Sequence, residues 1–162
     1  MTTIRNARLA DLPHIMDLFF MMQEHNDAEM HASFQEFRTR SPDFHEQARR
    51  YIFESMQDKN GCFLVAETKN GISGFVYGFT HLPRPRLYTL PPTGTLRYLA
   101  VHTKAQNMGV GSALYKEIEK WFAQEGCRYI QLETLHGSTA EKIYKKWGFA
   151  SVMAKMKKRL ED

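Results

Sequence analysis

The sequence predicts an α/β fold with a mixed sheet, in a single domain that spans residues 1–162. The chain has 162 residues, which is the size of one domain and enough to bury a core without disulfides or metals. Segments in which apolar residues have helical spacing alternate with shorter strand-like segments. Near the C-terminus a strand, a helix and another strand follow one another, which is typical of α/β folds.

The first part of the chain predicts one strand and two helices. Residues 3–8 have the pattern of a short strand, and residues 10–24 have apolar side chains at helical spacing. Pro13 fits the first turn of that helix, where a missing backbone N–H is tolerated. A polar stretch without a clear pattern follows, and residues 44–57 again have helical spacing.

A β-hairpin is predicted next, because Asn70-Gly71 is a strong turn signal between two strand-like segments. The two strands are residues 62–68 and residues 72–81. Four prolines between residues 83 and 92 then indicate a stiffened loop. Loops of about ten residues are often functional.

The second part of the chain alternates strands with helices. We predict strands at residues 95–101 and 128–135, with a helix at residues 109–124 between them. Residues 139–147 form the next predicted helix, since their apolar side chains recur on one face. From residue 149 onward we expect a final strand.

The composition favours a cytoplasmic protein with no membrane partner. No apolar segment approaches the roughly 20 residues that span a bilayer. Residues 1–8 are polar and lack the apolar core of a signal peptide. Cys62 and Cys127 show no paired spacing, so we expect both to be reduced.

The charge pattern points away from nucleic acid and from metals. The net charge of +4 comes from 22 lysines and arginines against 18 aspartates and glutamates, and it suits an anionic ligand or simple solubility equally well. The basic run at residues 155–159 is not interleaved with aromatic residues, so we interpret it as a solvated strand face and expect no nucleic-acid partner. The histidines and acids at residues 24–31 match no metal-ligand spacing, so no metal site is predicted.

The clearest functional signal is the turn formed by residues 106–111. It follows a predicted strand and opens a predicted helix, whose free N–H groups and dipole together make an anion site. Gly109 and Gly111 have no side chains, so phosphate oxygens could approach the backbone, and Gln106 could add an amide donor. We predict that the turn binds the diphosphate of a nucleotide-containing cofactor; the alternative is a loop that merely turns the chain.

The spacing argues against a dinucleotide fingerprint, although Glu133 lies about 20 residues beyond the glycines, as such a fingerprint requires. Leu114 stands where the third glycine belongs. Seven residues separate Val101 from Gly109, whereas the dinucleotide turn is tight. A Walker loop is excluded because no Gly-Lys-Ser/Thr sequence occurs.

These residues resemble the signature of the GNAT superfamily of N-acetyltransferases. The family pattern Gln/Arg-x-x-Gly-x-Gly/Ala is present as Gln106-x-x-Gly109-x-Gly111. Residues 140–149, with Tyr144 among them, are similar to the helix and strand that follow in the family. The close match covers residues 95–149. It implies a single GNAT-like domain with a central, mostly antiparallel sheet of six to seven strands flanked by about four helices.

The resemblance implies acetyl-CoA as the cosubstrate and transfer of its acetyl group to a primary amine. It also implies that Leu99, Ala100 and Val101 offer backbone hydrogen bonds to the pantetheine arm. The residues expected to hold the diphosphate are Gln106, Asn107, Met108, Gly109, Val110, Gly111 and Ser112.

Two catalytic roles are expected from the resemblance. Tyr144 would stand near the thioester sulfur, where a phenol could protonate the departing thiolate, although its helix face alone indicates a core residue. The attacking amine must lose a proton, and Glu133 is the first candidate for the base, with burial on its strand raising its pKa. His81 or a water chain could take that role instead. Tyr98 is a candidate for lining the acceptor site.

The acceptor is expected to be a small-molecule or peptide amine, and the sequence does not name it. A non-catalytic acyl-CoA-binding module, which senses the cofactor or joins a complex, is the main alternative to an enzyme. A nucleotide-binding oxidoreductase is the third hypothesis. The resemblance also allows a homodimer in which the C-terminal strand pairs across the interface.

Overall fold

The computed structural model describes residues 2–80 and 87–160. Its strands are β1 (Thr3–Asn6), β2 (Gly61–Thr68), β3 (Gly71–Thr80), β4 (Thr93–Val101) and β5 (Tyr129–Gln131). Its α-helices are α1 (Leu12–Glu29), α2 (Phe44–Met56), α3 (Val110–Gln124) and α4 (Thr139–Lys146). Short 3₁₀ segments lie at Leu9–Asp11, Ala32–Arg38 and Thr103–Ala105. None of the helices described here is long and apolar enough to cross a membrane.

The strands form one sheet in the order β1-β2-β3-β4-β5. Neighbours from β1 to β4 pair antiparallel, whereas β4 and β5 run parallel. Helix α3 connects β4 to β5, as a crossover between parallel strands requires. The expectation of six to seven strands in a mostly antiparallel sheet is corrected: the described residues form five strands in a mixed sheet, because the C-terminal segment adds none.

The β2–β3 hairpin turns at the predicted position. Gly71 has a φ of 102°, a conformation that residues with a side chain rarely adopt. The hydroxyl of Thr68 accepts from the N–H of Asn70 at 3.2 Å and donates to the carbonyl oxygen of Gly71 at 3.1 Å. These bonds close the turn between β2 and β3, whose pairing shifts register once, between Ala66 and Glu67.

Helices cover both faces of the sheet, and each face has its own core. On one face, which we call the α1/α2 face, Ile15 of α1 packs with Phe75 of β3. On the other, the α3/α4 face, Leu114 and Phe122 of α3 pack with Val76 of β3, and α4 joins the same core. Burial on both faces explains why β2 and β3 have long apolar runs.

Strand β5 is shorter than predicted. It pairs with residues 93–95 of β4 and ends at Gln131 rather than at residue 135. The chain leaves the sheet there to reach Ser138, which caps α4. Glu133 therefore lies beyond the strand, in contrast to the prediction. The candidate base His81 lies outside the described residues.

The predicted final strand is wrong. Residues 150–160 form neither helix nor strand. Side-chain contacts tie this segment to the Ala32–Arg38 region instead, since Arg159 pairs with Glu36 at 2.9 Å and Lys157 lies over the ring of Phe37. Alternating apolar residues form a strand only where a neighbouring strand and a core receive them, and here they are at least 81% exposed: Val152, Met153, Met156 and Leu160.

Candidate active site

The turn that we predicted to bind phosphate lies at the N-terminus of α3, where the chain leaves β4. After Val101 the 3₁₀ segment Thr103–Ala105 leads into it. Asn107 has a φ of 62° and Gly109 a φ of 80°, both in the left-handed region. Asparagine tolerates this conformation better than most residues, and glycine adopts it freely. Gly109 is also the N-cap of α3.

The N-terminus of α3 is open to an anion. Among the described residues no side chain caps it, so its first N–H groups lack the partners that capping would provide. A Cβ at Gly109 would meet no atom within 4 Å, and residues 106–109 are exposed. A diphosphate could therefore reach these N–H groups, and the helix dipole favours its negative charge.

Gln106 is placed differently from the sequence expectation. Its Nε2 donates to the carbonyl oxygen of Val101 at 3.3 Å, so the side chain folds back onto the end of β4. His102 fixes the same segment through Nδ1, which accepts from the N–H of Lys104 at 3.2 Å. These side chains shape the turn, while the donors that face outward belong to the main chain.

The part of β4 next to this turn extends beyond its pairing with β5. β5 pairs with residues 93–95 of β4, whereas β4 continues beside β3 as far as Val101. Within the described part of the chain, the stretch Leu99, Ala100 and Val101 therefore has a strand partner on one side only. Apart from the Val101 carbonyl, which accepts from Gln106, its other edge offers main-chain groups with which the amides of a pantetheine arm could pair, as an added strand would.

Tyr144 lies on α4, partly buried against the core of the α3/α4 face. Its ring meets the rings of Trp147 and Phe149 edge to face, each with 5.7 Å between centroids. Burial raises the pKa of Tyr144 from 10.0 to about 12. The phenol is protonated at neutral pH, and its ring packs against two aromatic neighbours.

The start of α4 is fixed by a network around Glu141, which the sequence analysis missed. Ser138 Oγ accepts from the N–H of Glu141 at 3.2 Å, and the Glu141 carboxylate accepts from the N–H of Gly137. Lys145 pairs with the same carboxylate at 2.8 Å. The contact with Lys145, followed by that with Gly137, lowers the pKa of Glu141 from 4.5 to about 2. The Ser-x-x-Glu spacing of a capping box could have revealed it.

A second support for α4 comes from the C-terminal end of α1. Glu29 Oε1 accepts from the N–H of Thr139 at 3.1 Å and from its hydroxyl at 2.6 Å. The hydroxyl contact is the main cause that lowers the pKa of Glu29. The other oxygen, Oε2, is buried and lies 3.4 Å from Nε2 of His25. Glu29 and Thr139 are 110 residues apart, so no local pattern could have predicted this contact.

Glu133 differs from its expected environment. The prediction placed it on a strand, where burial would raise its pKa, but its side chain is exposed and lies beyond β5. Tyr98, by contrast, is partly buried against the α1/α2 core. Across residues 2–80 and 87–160, no three His, Cys, Asp or Glu side chains are grouped so that they could hold a metal ion.

The chain matches a model of the Acetyltransferase (GNAT) family over residues 22–149. Because this match covers most of the chain, the protein belongs to the GNAT family, and the resemblance seen in the sequence is confirmed. The protein is an acyltransferase that uses acetyl-CoA. A search of curated proteins gives no match.

Solved structures share the fold at low sequence identity. A tetramutant of the BH1408 protein from Bacillus halodurans superposes with a TM-score of 0.84 and 17% identity, over 98% of this chain and 99% of that chain. Aminoglycoside 6'-N-acetyltransferase AAC(6')-IG from Acinetobacter haemolyticus gives 0.71 and 15%, over 98% and 99%. Aminoglycoside N-acetyltransferase AAC(6')-Iy in complex with CoA gives 0.71 and 17%, over 100% and 96%.

Proposed function

We propose that this acyltransferase is an N-acetyltransferase, which transfers the acetyl group of acetyl-CoA to a primary amine by direct attack in a ternary complex. One observation carries the proposal. The uncapped start of α3, the unpaired edge of β4 and the phenol of Tyr144 adjoin one core, on the α3/α4 face. Acetyl-CoA has a diphosphate, an arm with amides and a thioester in that order. The start of α3 would bind the diphosphate, the edge of β4 the arm, and the phenol would lie at the thioester.

The donor would be held mainly by main-chain groups. We assign the pantetheine arm to the open edge of β4 at Leu99, Ala100 and Val101. The diphosphate would face the N–H groups at the start of α3, where the left-handed Gly109 leaves space. The turn assigned to the diphosphate comprises Gln106, Asn107, Met108, Gly109, Val110, Gly111 and Ser112.

Tyr144 is the proposed general acid. The amine nitrogen attacks the thioester carbonyl carbon, a C–N bond forms, the C–S bond breaks, and the departing thiolate takes its proton from the Tyr144 hydroxyl. The phenol carries that proton at neutral pH, as a pKa of 10.0 or above ensures. Contacts with Trp147 and Phe149 would aim the hydroxyl at the sulfur.

Glu133 stays the first candidate for the base that accepts the amine proton. Its carboxylate is exposed beyond the end of β5, so the proton could reach it directly or through water. We further propose a small-molecule amine as acceptor, since aminoglycoside acetyltransferases share this fold. A peptide amine, a cytoplasmic location and a homodimer stay predictions.

The test is acetyl-CoA-dependent thiol release measured over a broad panel of amines. We expect turnover with at least one amine, and a loss of kcat of about 10²-fold or more in Tyr144→Phe with an unchanged Kd for CoA. Tyr129→Phe is the matched control, because Tyr129 is 57% exposed on β5. Full activity of Tyr144→Phe would refute the proposal that the Tyr144 hydroxyl protonates the departing thiolate. Tight CoA binding without any turnover would favour the non-catalytic acyl-CoA-binding module.

A further inference from the structure

A bulge in β4 changes the side to which its residues point. Opposite β3, Tyr77 pairs with Tyr98 and Gly78 pairs with Leu96, so Arg97 is the extra residue. A bulge of this kind bends the strand and re-aims nearby side chains. Leu96 accordingly packs in the α3/α4 core, whereas Tyr98 packs in the α1/α2 core.

Arg97 and Tyr98 belong to an aromatic cluster on the α1/α2 face. The guanidinium carbon of Arg97 lies 5.4 Å from the centroid of the Tyr98 ring. Tyr98 meets Phe19 of α1 at 5.3 Å and Tyr51 of α2 at 6.1 Å, both edge to face. Burial lowers the pKa of Arg97, but the nearby phenols of Tyr98 and Tyr51 outweigh that effect and raise it. The Arg97 guanidinium therefore lies beside aromatic rings, which attract a cation.

The cation of Arg97 is not neutralised by an acid in the described part of the chain. Arg5, for comparison, pairs with Asp11 and with Glu67 at 2.7 Å each, and no such pair involves Arg97 among residues 2–80 and 87–160. Arg97 is exposed and Tyr51 is 39% exposed, so a ligand could reach the cluster. A guanidinium binds a carboxylate through two parallel N–H donors, and phenol hydroxyls add further donors.

The cluster lies beside the place where the acetyl group would be transferred. Arg97 precedes Leu99 by two residues, which is about 7 Å along the strand. Leu99 begins the stretch of β4 assigned to the pantetheine arm. The cluster occupies the α1/α2 face and Tyr144 the α3/α4 face, so an acceptor and the donor could approach β4 from opposite sides.

We propose that Arg97, together with Tyr51 and Tyr98, binds a carboxylate of the acceptor. The preferred acceptors are then amines that also carry a carboxylate, of the free amino acid class. The carboxylate would lie in the guanidinium fork and the amine would extend along β4 toward the thioester. This inference rests on the proposed N-acetyltransferase function and adds the chemical class of its acceptor.

The test compares amino acids with their carboxamides, which keep the amine and lack the negative charge. For the wild-type enzyme we expect kcat/KM to be roughly 10- to 100-fold higher for the acid, the factor that a charge-assisted hydrogen bond provides. In Arg97→Gln the ratio should fall to near one. Arg97→Lys should keep part of it, because lysine supplies the charge without the fork. Arg128→Gln, an exposed arginine outside the cluster, should keep the wild-type ratio.

Two results would overturn the inference: no preference of the wild-type enzyme for the acid, or an undiminished preference in Arg97→Gln. Calorimetric binding of the same pairs to the CoA complex gives the comparison without turnover. An enzyme that binds acids selectively but transfers nothing would refute the proposed function and support the carboxylate site. If Arg97→Gln does not fold, Tyr51→Phe gives the second variant, and an unchanged acid preference there and in Arg97→Lys would contradict the site.

Discussion

Replacing Gly109 with alanine would add one methyl group to the turn at the N-terminus of α3. Gly109 has a φ of 80°, and a residue with a Cβ in the left-handed region costs about 1–2 kcal/mol. The methyl group would meet no atom within 4 Å, so steric clash adds nothing to that cost. The free energy of unfolding should fall by the same about 1–2 kcal/mol, which for 162 residues lowers Tm by roughly 2–8 °C.

The affinity for CoA should fall in Gly109→Ala for a separate reason. The new methyl group would occupy the open space in front of the α3 N–H groups, where we place the diphosphate. A hydrogen bond to a charged group is worth about 1.5–3 kcal/mol. Losing one such bond would raise the Kd for CoA by roughly 10- to 100-fold.

Gly111→Ala adds the same methyl group two residues later and is the matched control. Gly111 is not among the residues with positive φ, and its Cβ would make ordinary contacts with Val101 at 3.5 Å and Leu99 at 3.8 Å. We expect its Tm to stay unchanged or to rise, because alanine favours a helix over glycine. Its Kd for CoA should change less than that of Gly109→Ala.

Differential scanning calorimetry and isothermal titration with CoA measure the two effects on the same samples. An unchanged Tm of Gly109→Ala would refute the argument from backbone strain. Equal losses of CoA affinity in the two alanine variants would refute the placement of the diphosphate in front of Gly109.

Side chains that shape the site give three further expectations. Gln106→Ala should weaken CoA binding less than the Gly109 variant does in the same titration, because the amide of Gln106 donates to a β4 carbonyl. Glu29→Ala should lower the free energy of unfolding by about 1 kcal/mol in urea, because it removes both hydrogen bonds that Thr139 donates at the start of α4; Glu24→Ala, at an exposed position of the same helix, should not. The pKa of Glu141 is about 2 in the folded protein against 4.5, so its carboxylate stabilises the fold above pH 4.5 and that contribution is lost as the pH falls from 4.5 toward 2. Glu141→Gln should therefore flatten the decline of Tm over that range, and an unaltered acid profile would contradict the assignment.

Local signals in the sequence were sufficient for the β2–β3 hairpin and for the start of α3, to which we assign the diphosphate. Asn70-Gly71 predicted the hairpin because only a few residue types adopt the backbone of such a turn. Gly109 and the apolar spacing after it predicted the start of α3, which ends at the predicted residue 124. Each of these features is determined by residues that are close together in the sequence, so a local pattern is enough to predict it.

The C-terminal strand was wrong because strand formation depends on a partner. The apolar residues after residue 149 alternate as a strand would, but the described residues beside β5 offer them neither a ladder nor a core. The same dependence explains Glu133. The position at which β5 ends follows from its pairing with residues 93–95, which the local pattern does not encode.

Contacts between segments that are far apart in the sequence could not be predicted from local patterns either. Glu29 accepts hydrogen bonds from Thr139 across 110 positions, so the C-terminal end of α1 and the start of α4 meet only in the folded chain. The bulge at Arg97 is similar, since it is defined by the register of β4 against β3. Tyr98 was a candidate for the acceptor site from the sequence, but its association with Arg97 and Tyr51 required the three-dimensional structure.

The proposed binding of the diphosphate by main-chain donors at the start of α3 predicts how the enzyme responds to pH. Peptide N–H groups do not titrate at any pH at which the protein is folded. The affinity of this turn for a diphosphate should therefore not fall with rising pH, whereas a site built on lysine or histidine loses affinity when those side chains lose their protons. In the proposed mechanism the amine, its base and the Tyr144 phenol all change protonation with pH. The affinity for acetyl-CoA should therefore stay constant over the pH range in which the reacting groups titrate. A pH–rate profile at saturating acetyl-CoA should then report the pKa values of those groups.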